Sequence, residues 1–131
     1  MSDVVGMRGI VVSHGTMAEG LVDAVRRIAG GAADALSPLS NEGLSPLDLK
    51  NALDRLAGDE PTIVFADLMS GSCGMAALVS ARESSGRAVV CGVNLPILLD
   101  FVFHRELPVD ELVPRLVAKG RDGIRTLPAP C

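Results

Sequence analysis

Tryptophan and tyrosine are missing from these 131 residues, and phenylalanine occurs only three times. A chain so poor in aromatics has no platforms on which bases could stack, so single-strand nucleic acid binding is excluded. Its core has to be aliphatic. Basic residues are also scarce: 12 Lys and Arg stand against 16 Asp and Glu, for a net charge of −4 and a pI near 5.0. That balance removes any general attraction to phosphate backbones. No apolar run reaches the roughly 18–20 residues that would span a bilayer. Residues Met1 to Arg8 lack the basic region and apolar stretch of a secretory signal. Cys73, Cys91 and Cys131 are spaced too widely for a disulfide framework or a zinc motif. A cytoplasmic protein is expected, with reduced thiols, no membrane insertion, no bound metal and no cofactor.

What the chain does contain is an aliphatic pattern of strands and helices. Hydrophobic residues make up 48% of it, and residues 1–131 read as one domain burying roughly two-thirds of its unfolded surface. Ile10, Val11 and Val12 form a β-branched run suited to a strand covered on both faces. It breaks into Ser13-His14-Gly15, and Thr16 to Glu19 then has the spacing of a capping box. The helix predicted there, Met17 to Ile28, would bury Leu21, Ala24, Val25 and Ile28 and stop at Gly30-Gly31. A short strand is expected within Ala33 to Leu39. Ser45-Pro46-Leu47-Asp48 opens a helix with Leu49, Ala52, Leu53 and Leu56 inside, ending at Gly58.

Thr62 to Ala66 is a second buried strand, followed by the small-residue loop Asp67 to Gly74 and a helix from about Ser72. Arg87 to Val93 is a further strand. Ile97 to Phe103 is apolar nearly all round, so it has to be covered. Pro108 to Glu111 starts a last helix through Leu112, Leu116 and Val117 despite Pro114. Gly123 to Leu127 alternates as a short edge strand would.

Alternating strands and helices imply an α/β, doubly wound, mostly parallel sheet with helices on both faces. An order of 2-1-3-4, plus a C-terminal edge strand, sets the first and third strands side by side. Ligands of such sheets bind at the carboxyl ends of the strands where the winding reverses. His14 ends the first strand and Asp67 the third. A carboxylate on one imidazole nitrogen selects the tautomer and leaves the other nitrogen as a nucleophile. Ser70, Gly71 and Ser72, at a helix start, could hold phosphate oxygens. No Lys-Ser or Lys-Thr follows the glycines as in a Walker A loop, which argues against ATP as the direct donor.

Each residue also has a purely structural reading. His14 could simply bond a carbonyl in its turn, Asp67 could cap a helix, and Ser72 could be an N-cap. His104 reads as a C-terminal helix residue. Cys73, near the site, could be a nucleophile, but the sequence places no base beside it, so it reads as a small core or loop residue. A hydrolase is disfavoured because no second acid–base pair accompanies His14.

Four stretches carry a resemblance: Gly9 to Gly15, Asp67 to Ser72, Gly92 to Leu99 and Gly120 to Ile124. The chain resembles the IIA component of the mannose class of the bacterial sugar phosphotransferase system, in the family's order and over nearly its whole length. The resemblance implies that His14 is phosphorylated by the carrier protein HPr and passes the group to a IIB component. It further implies that Asp67 orients His14, that Ser70 to Ser72 hold the phosphoryl group, and that the protein is a homodimer exchanging a C-terminal strand. Met69, Ser70, Cys73 and Gly74 depart from the bulkier residues common in the family, which bears on the rim that partners meet. No IIB domain follows, so the acceptor is expected on another chain. The alternatives are the phosphoryl-donor subunit of a phosphotransferase-dependent dihydroxyacetone kinase, which has a similar opening strand, and a regulatory phosphohistidine module.

Overall fold

A computed structural model describes residues 6–128. Four strands, β1 (Arg8–Ser13), β2 (Leu36–Ser40), β3 (Thr62–Ala66) and β4 (Arg87–Cys91), form one parallel sheet in the order β2-β1-β3-β4. Val11 pairs with Pro38 on one side and Phe65 on the other, which fixes the register of β2, β1 and β3. Five helices, α1 (Met17–Ala29), α2 (Pro46–Ala57), α3 (Gly71–Glu83), α4 (Leu95–Val102) and α5 (Val109–Asp122), cover it.

Side chains of a strand alternate between faces, and here each face has its own core. Ile10, Val12, Val64 and Ala66 pack under α2 and α3 with Leu49, Leu53 and Ala77. Val11, Ile63 and Phe65 pack on the opposite face with Val22 and Val25 of α1, Leu98 and Phe101 of α4, and Leu112 and Leu116 of α5. The rings of Phe65 and Phe101 meet edge to face at 5.1 Å. The apolar Ile97 to Phe103 segment is therefore covered within the chain, except for Phe103, which is exposed.

Helix starts follow the local rules in part. Ser45 accepts the Asp48 backbone N–H at 3.1 Å, with Pro46 at the first helical position. Thr16 makes no such bond. Its place is taken by the buried Ser13, whose Oγ accepts the Ala18 backbone N–H at 2.7 Å. The buried stripe of α1 is Ala18, Val22 and Val25, and Ile28 is exposed. Leu56 likewise faces solvent, and Ala57 is buried in its stead. A 3-10 turn, Gly30–Ala35, occupies the first part of the segment read as a strand, so β2 begins only at Leu36.

The expected C-terminal edge strand is corrected. Gly123 to Leu127 forms no strand: the Gly123 and Ile124 N–H groups bond back to Lys119 and Arg121 carbonyls, prolonging the turn of α5. A strand exists only where it is paired, and within this chain these residues meet no sheet edge. Ile124 and Leu127 are left exposed. Cys131 lies outside the described residues.

Candidate functional site

β1 and β3 run parallel with Val12 opposite Ala66, so the residues that follow leave the sheet together. The Asp67 backbone N–H donates to the Val12 carbonyl, prolonging the ladder by one bond. Asp67 Oδ2 then lies 2.7 Å from His14 Nδ1 and also accepts the His14 backbone N–H at 2.9 Å. Its Oδ1 accepts the Leu68 backbone N–H at 2.9 Å. Asp67 is thus committed to His14 and does not cap α3.

The two side chains differ in exposure, 8% for Asp67 against 46% for His14. Burial by itself would raise the Asp67 pKa. The backbone N–H and ring of His14, with the Leu68 N–H, outweigh it and hold the carboxyl below its ordinary value. An ionised carboxylate only accepts hydrogen bonds. Nδ1 of a neutral His14 therefore carries the proton, and the lone pair is on Nε2, toward solvent.

Nε2 faces the start of α3. A side chain on Gly71 would come within 3.8 Å of Nε2, and the φ of +91° there is one that other residues rarely adopt. The bare Gly71 keeps the space before Nε2 open. The first-turn N–H groups of a helix have no partner within it and attract anions, so an anionic group bonded to Nε2 would meet the positive end of α3. Helix and loop are held tightly: a Cβ on Gly74 would collide with the Met69 carbonyl.

The three loop residues differ in role. Ser70 stands at the N-cap position without a side-chain capping bond and is exposed. Ser72 Oγ accepts from Asn41 Nδ2 at 3.4 Å. Asn41 follows β2, and its backbone N–H also donates to the Ser13 carbonyl. It links β1 to α3, and only the pairing of β2 with β1 could have revealed this.

Of the readings open to Cys73, the core one holds: it lies in the first turn of α3 and not in a loop. It is fully buried in the apolar core under α3, and its Sγ is 3.7 Å from His14 Nδ1. Burial, and then the Asp67 carboxylate, push its pKa up, so it stays a thiol. His104 is not brought to the site. Its Nδ1 meets the Asp100 carbonyl at 2.8 Å, and its neighbour Arg105 anchors Met7 at the amino end of β1. A cavity of about 310 Å³, lined by Leu47, Lys50, Met75, Val79 and Glu83, includes neither His14 nor Asp67.

In sequence and in fold the chain is similar to known proteins. Residues 9–117 match the family described as EIIA-man, PTS system fructose IIA component. Among solved structures, the mannose/sorbose specific IIA subunit of the phosphotransferase system from Enterococcus faecalis is similar at 28% identity and a TM-score of 0.85, covering 97% of this chain and 98% of that one. The phosphotransferase system component EIIA from Streptococcus agalactiae is similar at 25% identity and a TM-score of 0.84, over 92% and 96% of the two chains. A sigma-54 interaction domain protein from Enterococcus faecalis shares the fold alone, at 9% identity and a TM-score of 0.71 over 92% and 95%.

Proposed function

Because the chain belongs to the mannose-class IIA family of the sugar phosphotransferase system, we propose that it is a phosphocarrier, accepting a phosphoryl group from phospho-HPr on His14 Nε2 and passing it to a IIB component. The observation that carries this reading is the His14–Asp67 pair, with Nδ1 committed at 2.7 Å and Nε2 open toward the start of α3. The Nε2 lone pair attacks phosphorus, a new N–P bond forms, and the N–P bond to the donor ring breaks. The donor's phosphoimidazolium leaves as a neutral imidazole, while the His14 ring takes up the positive charge.

Asp67 stabilises that charge, because its carboxylate is already ionised and in contact with Nδ1. The cation in turn makes His14 a good leaving group for the next transfer. Gly71 and the first turn of α3, with Ser70 and Ser72, hold the phosphoryl oxygens. No proton has to be removed, so positioning and charge stabilisation suffice. The exposed Leu68 and Met69 beside the site form the rim that HPr and IIB cover in turn.

A homodimer completes the reading. The outer edge of β4 is unpaired among the described residues, and a cleft of about 150 Å³ lies beside it, lined by Cys91, Gly92, Ile97, Val117 and Ile124. Gly123 to Leu127 of a second copy would pair with this edge and bury Ile124 and Leu127. Light scattering is expected to show a dimer, and a monomer after removal of residues 123–131.

The test of function is incubation with phosphoenolpyruvate, enzyme I and HPr, followed by mapping of the label. A single acid-labile, base-stable phosphoryl group on His14 is expected. Label retained by His14→Ala would refute the proposal, whereas His104→Ala should label as the unaltered protein does.

A further inference from the structure

Three different metal-ligating atoms converge behind the His14 ring, on the side away from the phosphoryl path. We propose that His14 Nδ1, Asp67 Oδ2 and Cys73 Sγ form a site for a thiophilic divalent cation of the Zn²⁺ type, and that its occupancy stops His14 from accepting phosphoryl groups. All three atoms lie within 4.8 Å of one another, although they come from the ends of two strands and the first turn of a helix.

Tetrahedral zinc, with bonds of about 2.0–2.3 Å, spaces its nitrogen and sulfur ligands about 3.5 Å apart. Sγ and Nδ1 are 3.7 Å apart here. The carboxylate is closer to the ring than a shared metal allows, at 2.7 Å, and would withdraw by about half an ångström to a tetrahedral spacing. A thiolate, an imidazole and a carboxylate suit Zn²⁺ or Co²⁺, whereas Mg²⁺ and Ca²⁺ require oxygen ligands. Three protein ligands also leave a fourth position for water.

The protons make metal and phosphoryl group mutually exclusive. Binding takes the Cys73 thiol proton to solvent and forms the S–metal bond. The metal also needs the Nδ1 lone pair, so the proton that Nδ1 carried moves to Nε2 through solvent. A neutral imidazole bound through Nδ1 has N–H at Nε2, and the lone pair needed to attack phosphorus is gone. Cys73 has no part in the proposed phosphoryl transfer, so changing it separates the two properties. The inhibitory half of this inference rests on the phosphocarrier reading, while the metal site does not.

The experiment uses the full chain carrying Cys91→Ser and Cys131→Ser, so that Cys73 is the one thiol. Titration with Co²⁺ under reducing conditions should produce the near-ultraviolet thiolate-to-cobalt charge-transfer band. Cys73→Ser, which keeps the size of the side chain, should abolish that band, and His14→Ala should weaken cobalt binding roughly tenfold or more. A missing band in the parent, or an unchanged one in Cys73→Ser, would overturn the site.

In the second arm, equimolar Zn²⁺ should slow labelling of the parent by purified phospho-HPr, while Cys73→Ser labels at the parent rate and resists zinc. Equal zinc sensitivity of the two proteins would overturn the inhibitory role. If the parent takes no label even without zinc, the phosphocarrier reading fails, and the cobalt spectrum still decides the metal site.

Discussion

Asp54 and Asp67 are both held below the ordinary carboxyl pKa of 3.8, and both do so against burial. Their partners could hardly differ more. Asp54, on α2, meets Lys50, Ser80 and Arg87, and Arg87 also donates to Ser80 Oγ and the Gly58 carbonyl. The Arg87 side chain is only 6% exposed. That cluster is satisfied on every side and ties α2, α3 and β4 together. Asp67 meets a half-exposed imidazole that has a second nitrogen left over. A carboxylate whose partners are complete holds structure. One whose partner keeps a free nucleophilic atom can do chemistry.

Substitutions should separate the two aspartates. The largest effect is expected for His14→Gln, which removes the nucleophile: labelling is lost completely, with little change in the urea midpoint. Next is Asp67→Asn. Its amide cannot accept from both the His14 and the Leu68 backbone N–H groups and also carries no charge to stabilise the ring. Transfer should slow by about 10²-fold, for a stability loss of only about 1 kcal/mol. Rapid-quench labelling and urea unfolding would measure the two, and a stability loss larger than the rate loss would place Asp67 with Asp54 as a structural group.

Arg87→Met should do the reverse. It strips Asp54 and Ser80 of a buried cation and should cost about 2 kcal/mol of stability, while the folded fraction labels at the normal rate. Gly71→Ala should cost about 1 kcal/mol through its positive φ and slow labelling through the methyl group placed before Nε2. The smallest effect concerns acid. Because the folded pKa of Asp54 is depressed, its contribution is complete above 3.8 and is lost as pH falls through the lower folded value. Asp54→Asn should therefore be less stable than the parent near neutrality, and the gap should narrow below pH 3.8.

Local chemistry made much of this molecule legible. The β-branched runs, the Ser45-Pro46 start of α2 and the strand-end positions of His14 and Asp67 depend on neighbours in sequence and on the winding rules of parallel sheets. Errors came where the three-dimensional course of a turn, or the lack of a sheet edge to pair with, decides the outcome. Thr16 lost its capping role to Ser13, because the turn at Gly15 brings the Ser13 hydroxyl under the Ala18 N–H. Gly123 to Leu127 has a strand pattern, but a pattern supplies no edge to pair with.

Sequence by itself determined the parallel α/β class, the strand order and the pairing of His14 with Asp67, since hydrophobic period, crossover handedness and strand-end polarity are properties of short stretches. Tertiary structure alone decided that Asn41 reaches Ser72 and that Gly71 leaves Nε2 open. It also decided that the Cys73 sulfur comes to rest against the same nitrogen that Asp67 holds. Those depend on the angle at which α3 leaves the sheet, set by packing of Ala76 and Ala77 against Val64 and Ala66, and no local spacing encodes an angle.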